Sequence, residues 1–275
     1  MVTDAVHKAG GRIIAQLWHT GSVSHPELLN GALPVSASGV NPLQMSVTPS
    51  GKKPTVTPRA MTTAEIPRTV ADYSKAAANA MEGGFDGVQI QANYLYLIPQ
   101  FLNTATNVRT DEYGGSAENR ARFLFEVLES VLKVVNSGLV GIKIAPMHEK
   151  GAFAANDETL PTIEYVIKRL NDYGLSHLLM MGASTDFSGS PIASLTGDGM
   201  FQHFRPIFRG PLIANVKMDR ERGNRLIVDG LADLIAFGRP YISNPDLVER
   251  LATNAPLNND IKSETIYGPG PEGYV

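Results

Sequence analysis

Cysteine is absent from the 275 residues, which removes disulfides, thiolate nucleophiles and cysteine-ligated metals and is compatible with a reducing cytoplasm. No apolar run reaches the roughly 18 residues of a membrane span. The opening MVTDAVHKAGG lacks a signal peptide's charged start and long apolar stretch, so a cytoplasmic location is the default expectation. Charge of one sign is missing too: 24 Lys and Arg stand against 27 Asp and Glu, giving a net charge of −3 with the basic residues scattered. That leaves no electrostatic footprint for nucleic acid or an anionic membrane. No GxGxxG turn follows an apolar strand, no GxSxG elbow is present, and no carboxylate pair stands at a recognisable spacing. These gaps weaken a doubly wound nucleotide-binding sheet and leave a serine hydrolase without its nucleophile.

What is there is an alternation of apolar strands and amphipathic helices. The spacing predicts a helix over residues 2–9, a strand over 12–18, a helix from Thr69 to the Gly83-Gly84 pair, and a strand over 86–91. A long helix capped by Ser116 follows, its stripe formed by Phe123, Val127, Val131 and Val134. Strands are then expected at 139–145, 175–181, 212–216 and 233–237, with helices at 158–173, 219–228 and 245–252. Six strands alternating with helices argue for a parallel sheet closing into a TIM (β/α)8-type barrel, here lacking its first two βα units. Residues 20–66 are rich in Gly, Pro, Ser and Thr and read as an excursion capping one barrel mouth, with short hairpins inside it. The whole chain, 1–275, is expected to form one partial barrel domain. An incomplete barrel exposes the edge strand that begins at Arg12, so a second copy or another partner chain is expected to cover it.

Parallel barrels gather their chemistry at the carboxyl ends of the strands. Gln16 and Trp18, then Gln91, Tyr94 and Tyr96, then Lys143, then Asn215, Lys217 and the Gly238-Arg239 pair stand at those ends. Asn93, Gln100 and Asn103 make the segment after the strand at 86–91 look like a polar loop. Tyr96 is a reasonable proton donor, Gln91 and Tyr94 can donate to a small-molecule carbonyl, and no strong neutral-pH base accompanies them. A cofactor carrying the difficult chemistry is the simpler reading, with a phosphate held near Lys217 and Arg239. Lys143 as a Schiff-base amine and Arg239 as an ordinary ion-pair residue are the rival readings. His19 and His25 lack the cysteine pair that would complete a zinc site and read as loop histidines.

The segments AVHKAGGRIIAQLWHTGSVSHP, NGALPVSAS, RTDEYGGSAENRARFLFEV, ADLIAFGRPYISNPDLVERL and IYGPGPEGY, in order along nearly the whole chain, resemble the old yellow enzyme family of flavin ene-reductases. The resemblance implies a (β/α)8 barrel that holds FMN noncovalently and reduces activated C=C bonds of α,β-unsaturated carbonyl compounds with electrons from NAD(P)H. By position, it implies that Gln16 touches the flavin ring and Trp18 shapes the substrate pocket. It implies that Tyr96 protonates the substrate, that Gly238 and Arg239 hold the FMN phosphate, and that Tyr267 lies beside the flavin. The chain departs from the family pattern where Gln91 and Tyr94 replace a His and an Asn or second His. Lys143 likewise replaces an Arg, and Asn215-Val216-Lys217 replaces an Asn-Gly-Gly phosphate loop. Those departures keep a second expectation open: a flavin-free relative acting as a non-redox enzyme or as a non-catalytic binding or partner subunit.

Overall fold

The computed structural model describes residues 2–93, 95–145, 154–184 and 186–262. Helix α1 (Val2–Lys8) leads into strand β1 (Ile14–Leu17), and the 20–66 excursion holds β2 (Val35–Ser36), β3 (Met45–Thr48), β4 (Gly51–Pro54) and β5 (Arg59–Ala60). The α/β alternation resumes with α2 (Ile66–Glu82), β6 (Gly87–Ala92), α3 (Leu97–Leu102), α4 (Ala117–Leu132), β7 (Val140–Ile144), α5 (Thr159–Leu170) and β8 (His177–Met181). It ends with α6 (Gly199–Phe204), β9 (Leu212–Asn215), α7 (Arg220–Val228), β10 (Leu234–Ala236), α8 (Arg239–Ser243) and α9 (Leu247–Thr253). Six strands form one sheet in the order β1-β6-β7-β8-β9-β10, every neighbouring pair parallel. This is the strand set and order of a TIM-type barrel wall. Inside the excursion β3 and β4 form the expected antiparallel hairpin, and β2 pairs with β5 in parallel.

The alternation of β6 explains its place at the centre. Val88, Ile90 and Ala92 are buried on one face among core residues from α2 and α4. Gln89 and Gln91, on the opposite face by strand periodicity, are also buried. Helix α4 starts where Ser116 accepts from the Asn119 N–H at 3.2 Å and buries Phe123, Leu124, Val127, Leu128 and Val131. Val134 falls beyond its end and is exposed, so the expected stripe stops one turn early. Helix α2 begins at Ile66 rather than Thr69 because Pro67, in its first turn, presets a helical φ and needs no N–H partner there.

The largest correction lies in the segment after β6. It is not a polar loop: Leu97, Ile98, Pro99, Gln100, Phe101 and Leu102 form α3 and all six are buried. Gln100 is the polar exception and is fully used. Its Nε2 donates to Leu95 O at 2.6 Å and Thr20 O at 3.3 Å, while its Oε1 accepts from Ser22 N at 3.0 Å. Gly21, at φ +58°, makes room, since a Cβ there would lie 2.2 Å from Gln100 Oε1.

The RTDEYGGSAENR segment is a structural bolt. Arg109 donates to Ala37 O at 2.9 Å and Met61 O at 2.5 Å, and pairs with Asp111, which also accepts from Thr63 Oγ1 at 3.0 Å. The excursion is thereby tied to the barrel. Gly114 has no substitute, because a Cβ would sit 2.1 Å from Arg109 O. Arg120, only 2% exposed, donates to Leu102 O at 2.9 Å, to Gly115 O and to Thr162 Oγ1, joining α3, the segment's own turn and α5. At the other end of the strands, Asp86 accepts from Ile13 N, His7 and Arg12, and those bonds, the Ile13 N–H first, hold its carboxyl below the usual range.

Candidate active site

The sheet register stacks the interior-facing side chains into rows. Gln16, Gln89, Gly141 and His177 are successive partners on β1, β6, β7 and β8. Gln91, Lys143, Leu179, Ile213 and Leu234 form the next row across β6 to β10. Met181, Asn215 and Ala236 follow at the carboxyl ends. Asn93, two residues beyond Gln91, joins that top row by donating its amide N–H to the Met181 sulfur. The sheet thus carries amides and one amine where a fully packed barrel layer would carry aliphatic groups.

The first row is knit together. Gln16 Nε2 donates to Gln89 Oε1 at 2.6 Å, and Gln91 Nε2 donates to Gln16 Oε1 at 3.0 Å. Gln89 Nε2 meets His177 Nε2 at 2.7 Å, and His177 Nδ1 meets Ser176 Oγ at 2.9 Å. Gly141 allows this contact to span a strand, because a Cβ there would lie 2.1 Å from His177 Cε1. Burial pushes the His177 pKa down. Two amide oxygens, Gln91 Oε1 and Asn93 Oδ1, are buried with no hydrogen-bond partner among the described residues. Such orphans are costly in a finished core and mark a place where a ligand supplies the donor.

Lys143 is half-buried beside Gln91, and desolvation by burial lowers its pKa. Above these rows, the Trp18 and Tyr96 rings meet edge-on with centroids 4.7 Å apart at 64°. The Gln100 bonds and the Leu97 N–H to His19 O bond of 3.0 Å hold the two loops in that contact. Trp18 is 54% exposed, so the pair forms a wall open to solvent.

After β9, Val216 and Lys217 both adopt left-handed backbone, at φ +82° and +51°. For a β-branched valine this is a strained conformation. Arg222 of α7 holds it, donating to Val216 O at 3.0 Å and Lys217 O at 3.2 Å while bonding Asp198. Asn215 Nδ2 donates to Ala236 O at 2.7 Å, locking β9 to β10 at the same end. Gly238 caps α8 and Arg239 opens it, exposed and without an ion pair among the described residues.

The structure therefore brings Gln16, Gln91 and Lys143 to one end of the sheet, with Trp18 and Tyr96 beside each other and Lys217 and Arg239 following the last two strands. Tyr94 and Tyr267 lie outside the described residues. Reading by residue type missed Gln89, His177 and Arg222, whose relevance rests on register and on the turn after β9, whereas Asn93 was marked only as a polar group at the strand end. His19 and His25 each accept a backbone N–H through Nδ1, from Gly21 at 2.9 Å and Glu27 at 3.2 Å, which fits the loop reading.

Comparison with known proteins accords with this geometry. Residues 1–258 match the family described as NADH:flavin oxidoreductase / NADH oxidase. The chain is 37% identical over 283 residues to 12-oxophytodienoate reductase 1 of Oryza sativa subsp. japonica, covering all of this chain and 70% of that protein. It is 36% identical over 280 residues to 12-oxophytodienoate reductase 2 of Arabidopsis thaliana, covering all of this chain and 73% of that one. Among solved structures it superposes on the old yellow enzyme homologue from Zymomonas mobilis with a TM-score of 0.91 at 37% identity, covering 99% of this chain and 75% of that chain. It superposes on morphinone reductase in complex with tetrahydroNAD with a TM-score of 0.89 at 39% identity, covering 99% and 74%. With the sheet, the RTDEYGGSAENR bolt and the strand-end side chains in place, the chain belongs to the NADH:flavin oxidoreductase / NADH oxidase family, that of the old yellow enzymes.

Proposed function

We propose that the protein is an FMN-dependent ene-reductase that reduces the activated C=C bond of α,β-unsaturated carbonyl compounds with NAD(P)H. The observation that carries the reading is the Trp18–Tyr96 ring pair, and Gln91 beside Lys143, on the segments at the carboxyl ends of one parallel sheet. FMN fits the residues there. A flavin ring edge offers both donors and acceptors to the Gln16 and Gln91 amides, to the Asn93 oxygen that has no partner among the described residues, and to the Lys143 ammonium. A phosphate suits Lys217 and Arg239, two exposed cations that follow the last strands.

When bound, FMN supplies the hydride chemistry that no side chain of this site provides. The protein's own residues divide the remaining work. Gln91, with an Nε2 N–H turned to the site, binds and polarises the substrate carbonyl, an amide that cannot change charge standing where the family has an imidazole. Lys143 keeps a positive charge beside it but lacks the planar fork of arginine. Tyr96 gives its Oη proton to the substrate α-carbon, and Trp18 covers the site. Tyr94 as a second carbonyl ligand, Gly238 as a phosphate contact and Tyr267 as a ring beside the flavin belong to the same proposal.

No described helix is long and apolar enough to cross a membrane, and we assign the protein to the cytoplasm. Ile14 and Leu234, on the two edge strands, are 46% and 54% exposed. They carry the proposal that a second chain covers the sheet edge, which a solution mass equal to one chain would refute.

The test is spectral and kinetic. The purified protein should show flavin absorbance and reduce an enone with NAD(P)H. Tyr96→Phe should lower enone turnover by about 10²-fold or more while leaving the bleaching of the flavin by NAD(P)H unchanged. A colourless protein that takes up no added FMN, or full turnover in Tyr96→Phe, would overturn the reading.

A further inference from the structure

The hydrogen bonds from Gln91 to Gln16, Gln89, His177 and Ser176 form one unbroken line from the site to the amino-terminal end of β8. Its links are directional. Each amide here meets one neighbour through its NH2 and the other through its carbonyl oxygen, so turning one amide over sets like against like at the next link unless that amide turns too. In the direction found here Gln91 donates to Gln16, Gln16 donates to Gln89, and Gln89 donates to His177 Nε2. His177 then carries its proton on Nδ1, facing Ser176 Oγ. That arrangement leaves Gln91 Oε1, an acceptor, as the outer atom, and it is the atom buried without a partner.

In the opposite direction His177 Nε2–H donates to Gln89, Gln89 to Gln16 and Gln16 to Gln91, and the outer atom of Gln91 becomes a donor. Ser176 serves both directions, because a hydroxyl donates as readily as it accepts. Gln89 and His177 are 7% and 5% exposed, so water has little access to relieve a mismatch at that link. Gln16, on the edge strand, is the exposed link.

We infer that His177 is a positioning residue whose tautomer, transmitted through Gln89 and Gln16, sets whether Gln91 offers the site an N–H donor or a carbonyl acceptor. The inference deepens the proposed function and rests on it only in naming the ligand: a substrate carbonyl placed against the outer atom of Gln91 needs the donor there, the arrangement that goes with His177 protonated on Nε2. A ligand presenting an N–H or O–H to Gln91 selects the other tautomer.

Substitution at residue 91 tests the line without substrate or turnover. The carboxylate of Gln91→Glu can only accept, so Gln16 must donate to it, Gln89 must donate to Gln16, and His177 must be protonated at Nε2. Protein labelled with nitrogen-15 histidine, studied above the ordinary carboxylate range, reports the tautomer through the Nε2 chemical shift, with His177→Phe assigning the signal. The parent should show unprotonated Nε2 and Gln91→Glu a shift to the protonated range. In the background of Gln89→Met, which cuts the line, the His177 signal should be the same whether residue 91 is Gln or Glu. An unchanged His177 signal in Gln91→Glu overturns the inference. A shift that persists with Gln89→Met also overturns it, because the new charge would then be acting through space. Neither result depends on enone reduction, so a failure here is distinct from a failure of the proposed activity.

Discussion

Replacing Arg109 by methionine removes the donor that ties the capping excursion to the barrel while keeping an apolar stem of similar length. Arg109 supplies Ala37 O at 2.9 Å and Met61 O at 2.5 Å, and both residues are at most 3% exposed. Two buried carbonyls left without donors cost about 1–3 kcal/mol each. The guanidinium also lies 5.9 Å from the Phe101 and Tyr113 ring centroids, a cation–π contribution of about 0.5–1 kcal/mol. Asp111 keeps the Thr63 hydroxyl and the Tyr113 N–H, so its carboxylate is not orphaned. The expected loss is about 3–5 kcal/mol, read as a lower urea midpoint at unchanged slope. Arg109→Lys, which reaches one acceptor at a time, should lose less than half of that. If the excursion detaches before the barrel unfolds, amide exchange will accelerate across β2 and β5 while α4 stays protected. A loss below about 1 kcal/mol with unchanged protection of both segments would refute the role given to Arg109.

Two further outcomes follow from other contacts. Glu27 accepts from Lys53 at 2.6 Å and from the Ser50 hydroxyl and N–H, and these bonds, Lys53 first, lower its pKa from 4.5 to about 2. The folded value is the depressed one, so this contribution to the β3–β4 hairpin is present above the ordinary carboxylate value and disappears as pH falls from 4.5 toward about 2. Amide exchange in the hairpin should therefore quicken over that window and lose the dependence in Glu27→Gln; identical acid profiles would refute it. Gly141→Ala places a Cβ 2.1 Å from His177 Cε1 and 2.3 Å from Nε2. It should cost about 1–3 kcal/mol by overpacking, seen as a lower melting temperature, and an unchanged melting temperature would show that the His177 ring does not fill that space.

The barrel strands were legible because each is a short apolar run bounded by turn residues: β1, β7, β8, β9 and β10 fall within the expected ranges, and β6 runs one residue past its range to Ala92. The six-residue α3 was not. LIPQFL is apolar around nearly its whole circumference and contains a proline, so it offers no amphipathic stripe from which to read a helix. The strand-end positions of Gln16, Gln91 and Lys143 were legible, because residue type and place after an apolar run mark them out. Gln89 and His177 were not, because a glutamine inside an apolar strand and a lone histidine carry no assignment until the register sets them on either side of Gly141. Arg222 was equally hidden, since its task is set by the left-handed turn at Val216 and Lys217, and nothing in the residue types forecasts that turn.

The excursion is fastened at Ala37 and at Met61, whereas the β3–β4 hairpin between those anchors exposes Met45 and Val47 and meets the rest of the protein through groups such as Glu27. For protein engineering this amounts to a socket with an interchangeable insert: hairpins of other lengths and compositions can be exchanged between the two fixing points while the barrel wall keeps its register.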